Sequence, residues 1–336
     1  LDLNGDMIED ETGVQLVDAN YAGEYNGGGE YPSYPGYRGP YDSNYVTQVS
    51  RSNYLINHWN RPYYIPNVVA QCDVLIRVPV FKNHDLAGMT SGLKLAFGIA
   101  PSDIYHAYWL QNMKWNLLHQ TGQTGWPSTE IEINSKGMVD MTLARPPDLV
   151  VVDALVGIMS GPTREPLSRP NPYMAAIIAS HTICALAAGY QVSQTSVPAI
   201  YYAQSVGLGT NNPGKIEVRG KRVAQIRRWF PQWGNSTPGE RVPPSLTALS
   251  LPDGLHVCGK IYVRPTAYND MGGSGVCKGE LYINGVLVDS SDNASGTPLP
   301  AYTTSWATAG ASSGQHILTY RLYDGMLNES AISRTI

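Results

Sequence analysis

The chain has 336 residues, enough for two domains, with 15% charged residues and a net charge of −4. No basic stripe runs along it, which argues against a nucleic-acid partner, and no apolar run reaches about 18 residues, so no membrane span is expected. Tyr outnumbers Phe 22 to 3, beside 34 Gly and 24 Pro, a balance that favours loops and polar-aromatic contacts over a Lys/Glu-rich cytosolic surface.

The chain opens on an acidic loop. Asp2, Asn4, Asp6 and Asp10 stand at alternating positions, with the Ile8 carbonyl between them, a spacing that lets oxygen ligands converge on one calcium ion. The loop resembles the calcium loops of dockerins and thrombospondin-type repeats. Met7 replaces their turn glycine and Gly13 their bidentate acid, so a solvated acidic turn stands as the other reading. From Tyr21 to Tyr45 the chain is rich in Tyr, Gly and Pro, which excludes a long helix and suits an ordered loop, a contact surface or sugar stacking.

A helix is expected near Val46 to Trp59. The run Val74 to Phe81 then reads as a buried strand, parallel by composition, that ends or bulges at Pro79. Past it come Lys82, His84, Thr90 and Lys94 among glycines. Ligands of open α/β sheets sit beyond the carboxyl ends of strands, so these four form a candidate pocket for an anion or substrate. Ser102 caps a predicted helix over 103–118, and a second is expected over 135–143. Leu149 to Asp153 reads as a strand whose last residue, Asp153, joins the pocket. A strand over 175–179 and helices over 182–189 and 199–206 follow. Ile216–Val218 and Val223–Ile226 are expected to form a hairpin turning at Gly220–Lys221.

The segment from Pro79 to Gly98 resembles a bacterial and archaeal family known as domain of unknown function 362. Pro79, Lys82, His84, Thr90, Lys94 and Gly98 fall on its pattern, and the likeness continues through Asp148–Pro162 and into 175–209, covering about residues 65 to 230. Leu95 stands where the family has Asn. Ser180 to Ala187 lacks both aspartates of the family's Ser-x-Asp-Pro-Val-Ala-x-Asp, and its leading strand is not found. The resemblance implies an α/β core with a mostly parallel sheet, no agreed activity, and a chemistry altered or lost in this chain. No Cys-x-x-Cys occurs, so no iron–sulfur cluster is expected; no phosphate loop or dinucleotide fingerprint occurs, so neither is a nucleotide.

Pro231 to Pro244 is expected to be a semi-rigid linker. After it the apolar pattern changes to period two, and Asn284–Gly285 marks a two-residue hairpin turn. About seven short strands in about 90 residues read as a β-sandwich, similar to bacterial immunoglobulin-like domains. The expected organisation is thus an N-terminal segment (1–64), an α/β core (65–230), the linker (231–244) and the sandwich (245–336). Cys258 and Cys277 are a candidate disulfide, and Asn235, Asn293 and Asn328 are candidate glycosylation sites.

Three functions are consistent with these features. One is a secreted or cell-surface structural protein that assembles into filaments with copies of itself, because a sheet lacking its leading strand leaves an edge that recruits a partner. Another is an enzyme or small-anion binder using Lys82, His84, Thr90, Lys94 and Asp153. The last is an adhesin whose tyrosines hold surface glycans.

Overall fold

The structure, a computed structural model, describes residues 43–49, 55, 63–84, 87–101, 130–158, 176–230, 237–292 and 300–336. The acidic loop of Asp2, Asn4, Asp6, Ile8 and Asp10, the Tyr/Gly/Pro segment up to 42, the helix expected over 103–118, and Asn235 and Asn293 lie outside the described residues.

Where a helix was expected from Val46, the chain forms strand β1 (Val46–Val49), antiparallel to β2 (Tyr63–Pro66) with Val46 opposite Pro66. Three of its four residues are β-branched and fit a half-buried pleated surface better than a helix. A single helical turn, α1 (Asn67–Ala70), follows. The apolar run then splits at Val78–Pro79 into β3 (Ile76–Arg77) and β4 (Val80–His84), as a residue without an N–H requires. Next come β5 (Gly88–Thr90), a 3-10 turn over Lys94–Ile99, and the long helix α2 (Glu130–Ala144). Strands β6 (Leu149–Val150), β7 (Val152–Ile158) and β8 (Ala176–Ile178) lead to α3 (His181–Ala187), α4 (Pro198–Ser205) and the turn α5 (Val223–Ile226).

The main sheet has the order β5-β4-β7-β8. Only its centre is parallel: β4 pairs with β7 in parallel, while β5 and β8 flank them antiparallel. The mostly parallel sheet expected is corrected accordingly. The link from His84 to Gly88 is too short for a crossover and permits only an antiparallel return. β3 and β6 form a separate parallel pair with Arg77 opposite Val150.

One face of the main sheet carries the core. Phe81, Val152, Ala154 and Ile178 pack against α3, and the ring of Phe81 meets Phe230 edge-on at 5.1 Å. Among the alternate residues Val80, Leu155 and Ile177 (69%) are exposed and apolar, whereas Lys82 and Asp153 are half-buried and charged, and Val78, just before β4, is 61% exposed. Ile76 and Leu149, opposite each other on β3 and β6, are exposed as well. Helix α2 is buried along most of its length, and its Asp140 carboxylate accepts hydrogen bonds from the Leu55 N–H (2.7 Å) and the Tyr63 hydroxyl (2.8 Å).

The hairpin expected at 216–226 does not form. Val223 to Ile226 is a helical turn in which Val223 and Ile226 are both buried and the Gln225 side chain accepts from the Arg222 N–H. A one-turn spacing of the two apolar residues, rather than alternation, serves the core here.

The C-terminal part consists of β9 (Ser245–Leu249), β10 (Lys260–Val263), β11 (Pro265–Asn269), β12 (Val276–Ile283), β13 (Val286–Ser291), β14 (Thr304–Ala307), β15 (Ile317–Asp324) and β16 (Glu329–Thr335). All pairings are antiparallel: a sheet β13-β12-β15-β16 and the pairs β10–β14 and β9–β11. Leu249 and Val263 share one core with Leu281, Ile283, Leu318, Tyr320 and Leu322, which makes the arrangement sandwich-like. Asn284 (φ 49°) and Gly285 (φ 82°) form the tight β12–β13 turn read from the sequence.

The linker is not a spacer over its described part. Thr237 and Gly239 hydrogen-bond Gln191 and Gly189 of the α/β unit, and Pro238 bridges Tyr190. Tyr323, Met326 and Leu327 of the sandwich enter the core that holds Phe81 and Phe230. Arg227 donates to the Leu186 carbonyl on one side and to Asn328 Oδ1 and the Met326 carbonyl on the other. The two parts therefore share buried surface. No helix among the described residues is long and apolar enough to cross a membrane.

Candidate functional site

The β4–β5 hairpin places Lys82 directly opposite Thr90. His84 is buried at the hairpin end, its Nδ1 accepting from the Ala87 N–H at 3.2 Å. Thr90 is buried too. Lys94 opens the 3-10 turn and lays its Nζ over the Phe97 ring, 4.7 Å from its centre. Asp153 is the second residue of a seven-residue strand rather than its end, and its Oδ1 accepts from the Leu155 N–H. Lys82, His84 and Thr90 thus share one hairpin, and none of the five lines either of two clefts, of about 430 and 490 Å³, among the described residues.

A cleft of about 430 Å³ lies nearby, against different side chains: Arg77, Thr142, His181 and Gln204, with Leu93 and Ile200 among its apolar walls. Arg77 ends β3 and is only 3% exposed. Its Nη1 donates to the Gly92 carbonyl (3.3 Å) and to Thr142 Oγ1 (3.0 Å), and its Nη2 to the Arg145 carbonyl (3.0 Å). Its Nε is buried with no hydrogen-bond partner. Burial, and next the charge of Arg145, bring its pKa down to about 10, still a cation at neutral pH.

His181 is the first residue of α3. Its Nδ1 accepts from the Leu93 N–H at 3.2 Å and meets the Ser91 hydroxyl. Burial pushes the imidazole down to about 3, so it is neutral. With Nδ1 an acceptor, the ring proton resides on Nε2. Both residues escaped the sequence reading. The available signal was Arg77 itself, a lone cation in an apolar strand, where a charge is expensive unless something answers it.

The cysteine and glycan expectations are corrected. Cys258 and Cys277 are both free thiols. Cys258 is exposed, whereas Cys277 donates its thiol to the Asp324 carbonyl, and burial pushes its pKa up to about 12. Asn328 is 5% exposed, with its amide nitrogen on Asp324 Oδ2 and its oxygen on Arg227, so no glycan fits on it in the folded chain. Glu240, Asp270 and Asp324 gather within 4.8 Å of one another. Backbone N–H groups of Ser274, Gly275, Met326 and Asn328 hold those carboxylates, which accounts for the cluster as turn structure.

Residues 40–188 match the family described as "Domain of unknown function (DUF362)". The match begins earlier than the resemblance read from the sequence and stops after α3. No curated protein matches the chain. Among solved structures, the chain is similar to fibronectin(III)-like modules of Clostridium thermocellum CbhA, at 19% identity over 26% of this chain and 91% of that one, with a TM-score of 0.21. A score that low carries no argument, and the sandwich-like arrangement rests on its own strand pairings.

Proposed function

We propose that this chain is a self-associating structural protein whose α/β unit docks a second copy through the outer face of its sheet. The observation that carries this reading is the exposed apolar row of Ile76, Val78, Val80, Leu149 and Ile177. Strands with a parallel partner are ordinarily covered on both faces, and contiguous exposed apolar surface marks an interaction site. The contact supported is a face rather than the edge inferred from the sequence. The outer strands β5 and β8 have three residues each, too short to template another strand. Asp153 lies between Val80 and Ile177 in the strand register, so the row is apolar but for that one carboxylate, and a copy of the chain brings an identical surface. Such a face-to-face contact closes on itself as a pair.

The magnitudes favour an all-or-none contact. Full burial of one Val or Ile contributes about 1.5–3 kcal/mol, while association costs about 4–15 kcal/mol. Several residues of the row must be buried together, and a charge in place of one of them both removes apolar area and adds a desolvation cost. Sedimentation over a wide concentration range tests this. The wild-type chain is expected to pair, and Ile177→Lys to stay monomeric with an unchanged circular-dichroism spectrum. A wild-type chain that stays monomeric throughout overturns the reading, as does an Ile177→Lys monomer that loses its fold, since the face would then be covered within the chain.

A further inference from the structure

The cleft of Arg77 adjoins that outer face at Leu149, and its chemistry is incomplete as it stands. A guanidinium has five N–H donors. Three of its contacts go to neutral acceptors, and Nε has none. No carboxylate among the described residues pairs with Arg77. Asp148, the acid of the cleft, is held by Arg145 Nη2 at 3.0 Å. Burying a cation without a counter-charge is costly, and proteins offset that cost with a partner. Here Arg145 adds a second positive charge nearby instead. His181, on the same cleft, has its Nδ1 occupied by Leu93, and its Nε2 bonds to no described residue. The remaining walls include Leu93, Ile200, Ala203 and Leu208, which suit a hydrocarbon body rather than a highly charged one.

We propose that this cleft binds a small organic carboxylate, its carboxyl group on Arg77 and the His181 Nε2–H and its apolar body against Ile200, Ala203 and Leu208. The site is lined by none of Lys82, His84, Thr90, Lys94 and Asp153, and of the proposed self-association row it meets only Leu149.

The test is titration of the full chain with hexanoate, followed by calorimetry and thermal unfolding, with hexanol and inorganic phosphate as probes that lack the charge and the apolar body respectively. Hexanoate is expected to bind saturably and raise the unfolding temperature by several degrees, and the other two to do neither. Thr142→Asp sets a carboxylate within reach of Arg77 Nη1, so it should raise the unfolding temperature on its own and abolish the hexanoate response. His181→Asn keeps an acceptor for the Leu93 N–H and removes the Nε2 donor, and should weaken binding roughly tenfold. The absence of a saturable hexanoate response, or a response that survives Thr142→Asp, overturns the proposal. Phosphate binding as tight as hexanoate overturns the carboxylate assignment.

Discussion

The sandwich and the α/β unit treat buried charge in opposite ways. On β12 the Lys278 ammonium meets Glu280 at 2.6 Å, and the carboxylate also receives the hydroxyls of Tyr282 and Tyr323. Burial pushes the Glu280 carboxyl up, but the hydrogen bonds and charge around it prevail and hold it below its ordinary value. On β3, by contrast, Arg77 is as buried as this pair and has only neutral partners. The outer faces differ less: the main α/β sheet exposes Val80, Leu155 and Ile177, and the sandwich sheet exposes Val286, Leu287, Val288 and Ile317. A buried charge that has its own counter-charge needs no partner. One that has only neutral partners is where binding should be sought.

The strongest way to test this contrast is to unbalance the satisfied side. Lys278→Met leaves the Glu280 charge buried beside hydroxyls alone and is expected to cost about 3–5 kcal/mol. Joint replacement, Lys278→Met with Glu280→Leu, removes both charges and should recover most of that loss. Urea unfolding of the two variants decides. If the double variant is as unstable as the single one, the pair is not a self-sufficient unit and the contrast with Arg77 weakens.

A smaller effect is expected where the two parts meet. Asp324 is fully buried, and burial above all, with Glu240 adding to it, pushes its pKa up to about 6 from an ordinary 3.8. A carboxyl with a raised folded pKa contributes most stability when protonated. The contribution is complete below pH 3.8 and fades as pH rises through about 6, amounting to at most about 3 kcal/mol. Glu217 and Glu280, held below their ordinary value, act in the opposite direction, and their contribution is lost as pH falls. The difference in stability between the wild type and Asp324→Asn isolates the first effect. It should shift steadily in favour of the variant between about pH 4 and 7 and stay flat above that. A pH-independent difference would mean that Asp324 is ionised throughout.

The same contrast governs what the sequence reveals. The sandwich was legible because its alternation and the Asn284–Gly285 turn are local signals that the fold obeys. The helix expected over 135–143, which forms over Glu130–Ala144, and the break at Pro79 were legible for the same reason. Val46–Val49 and Val223–Ile226 were misread because four residues carry too little periodicity, and packing against β2 and α3 decided their shape. Where the candidate pocket residues sit is decided by register and local packing. Asp153 precedes the end of β7, and Lys94 turns onto Phe97, neither of which follows from spacing. Arg77 and His181 meet only because β3 and α3 flank one cleft, a juxtaposition of residues 104 positions apart that no local pattern encodes.

The smallest expected effect bears on the outer face itself. Val78 is 61% exposed between β3 and β4, whereas Val263 on β10 is fully buried in the sandwich core. Replacing either by Thr keeps the β-branched shape and its preference for extended backbone, and exchanges one methyl for a hydroxyl. At Val78 water remains available to that hydroxyl, so in dilute protein Val78→Thr should change stability by no more than about 0.5 kcal/mol. At Val263 the hydroxyl enters a core of Leu281, Leu318 and Leu322, and leaving it without a partner costs about 1–3 kcal/mol. Equal costs at the two positions would show that Val78 is as buried in solution as Val263, and the main sheet would then have no free face to offer a second copy.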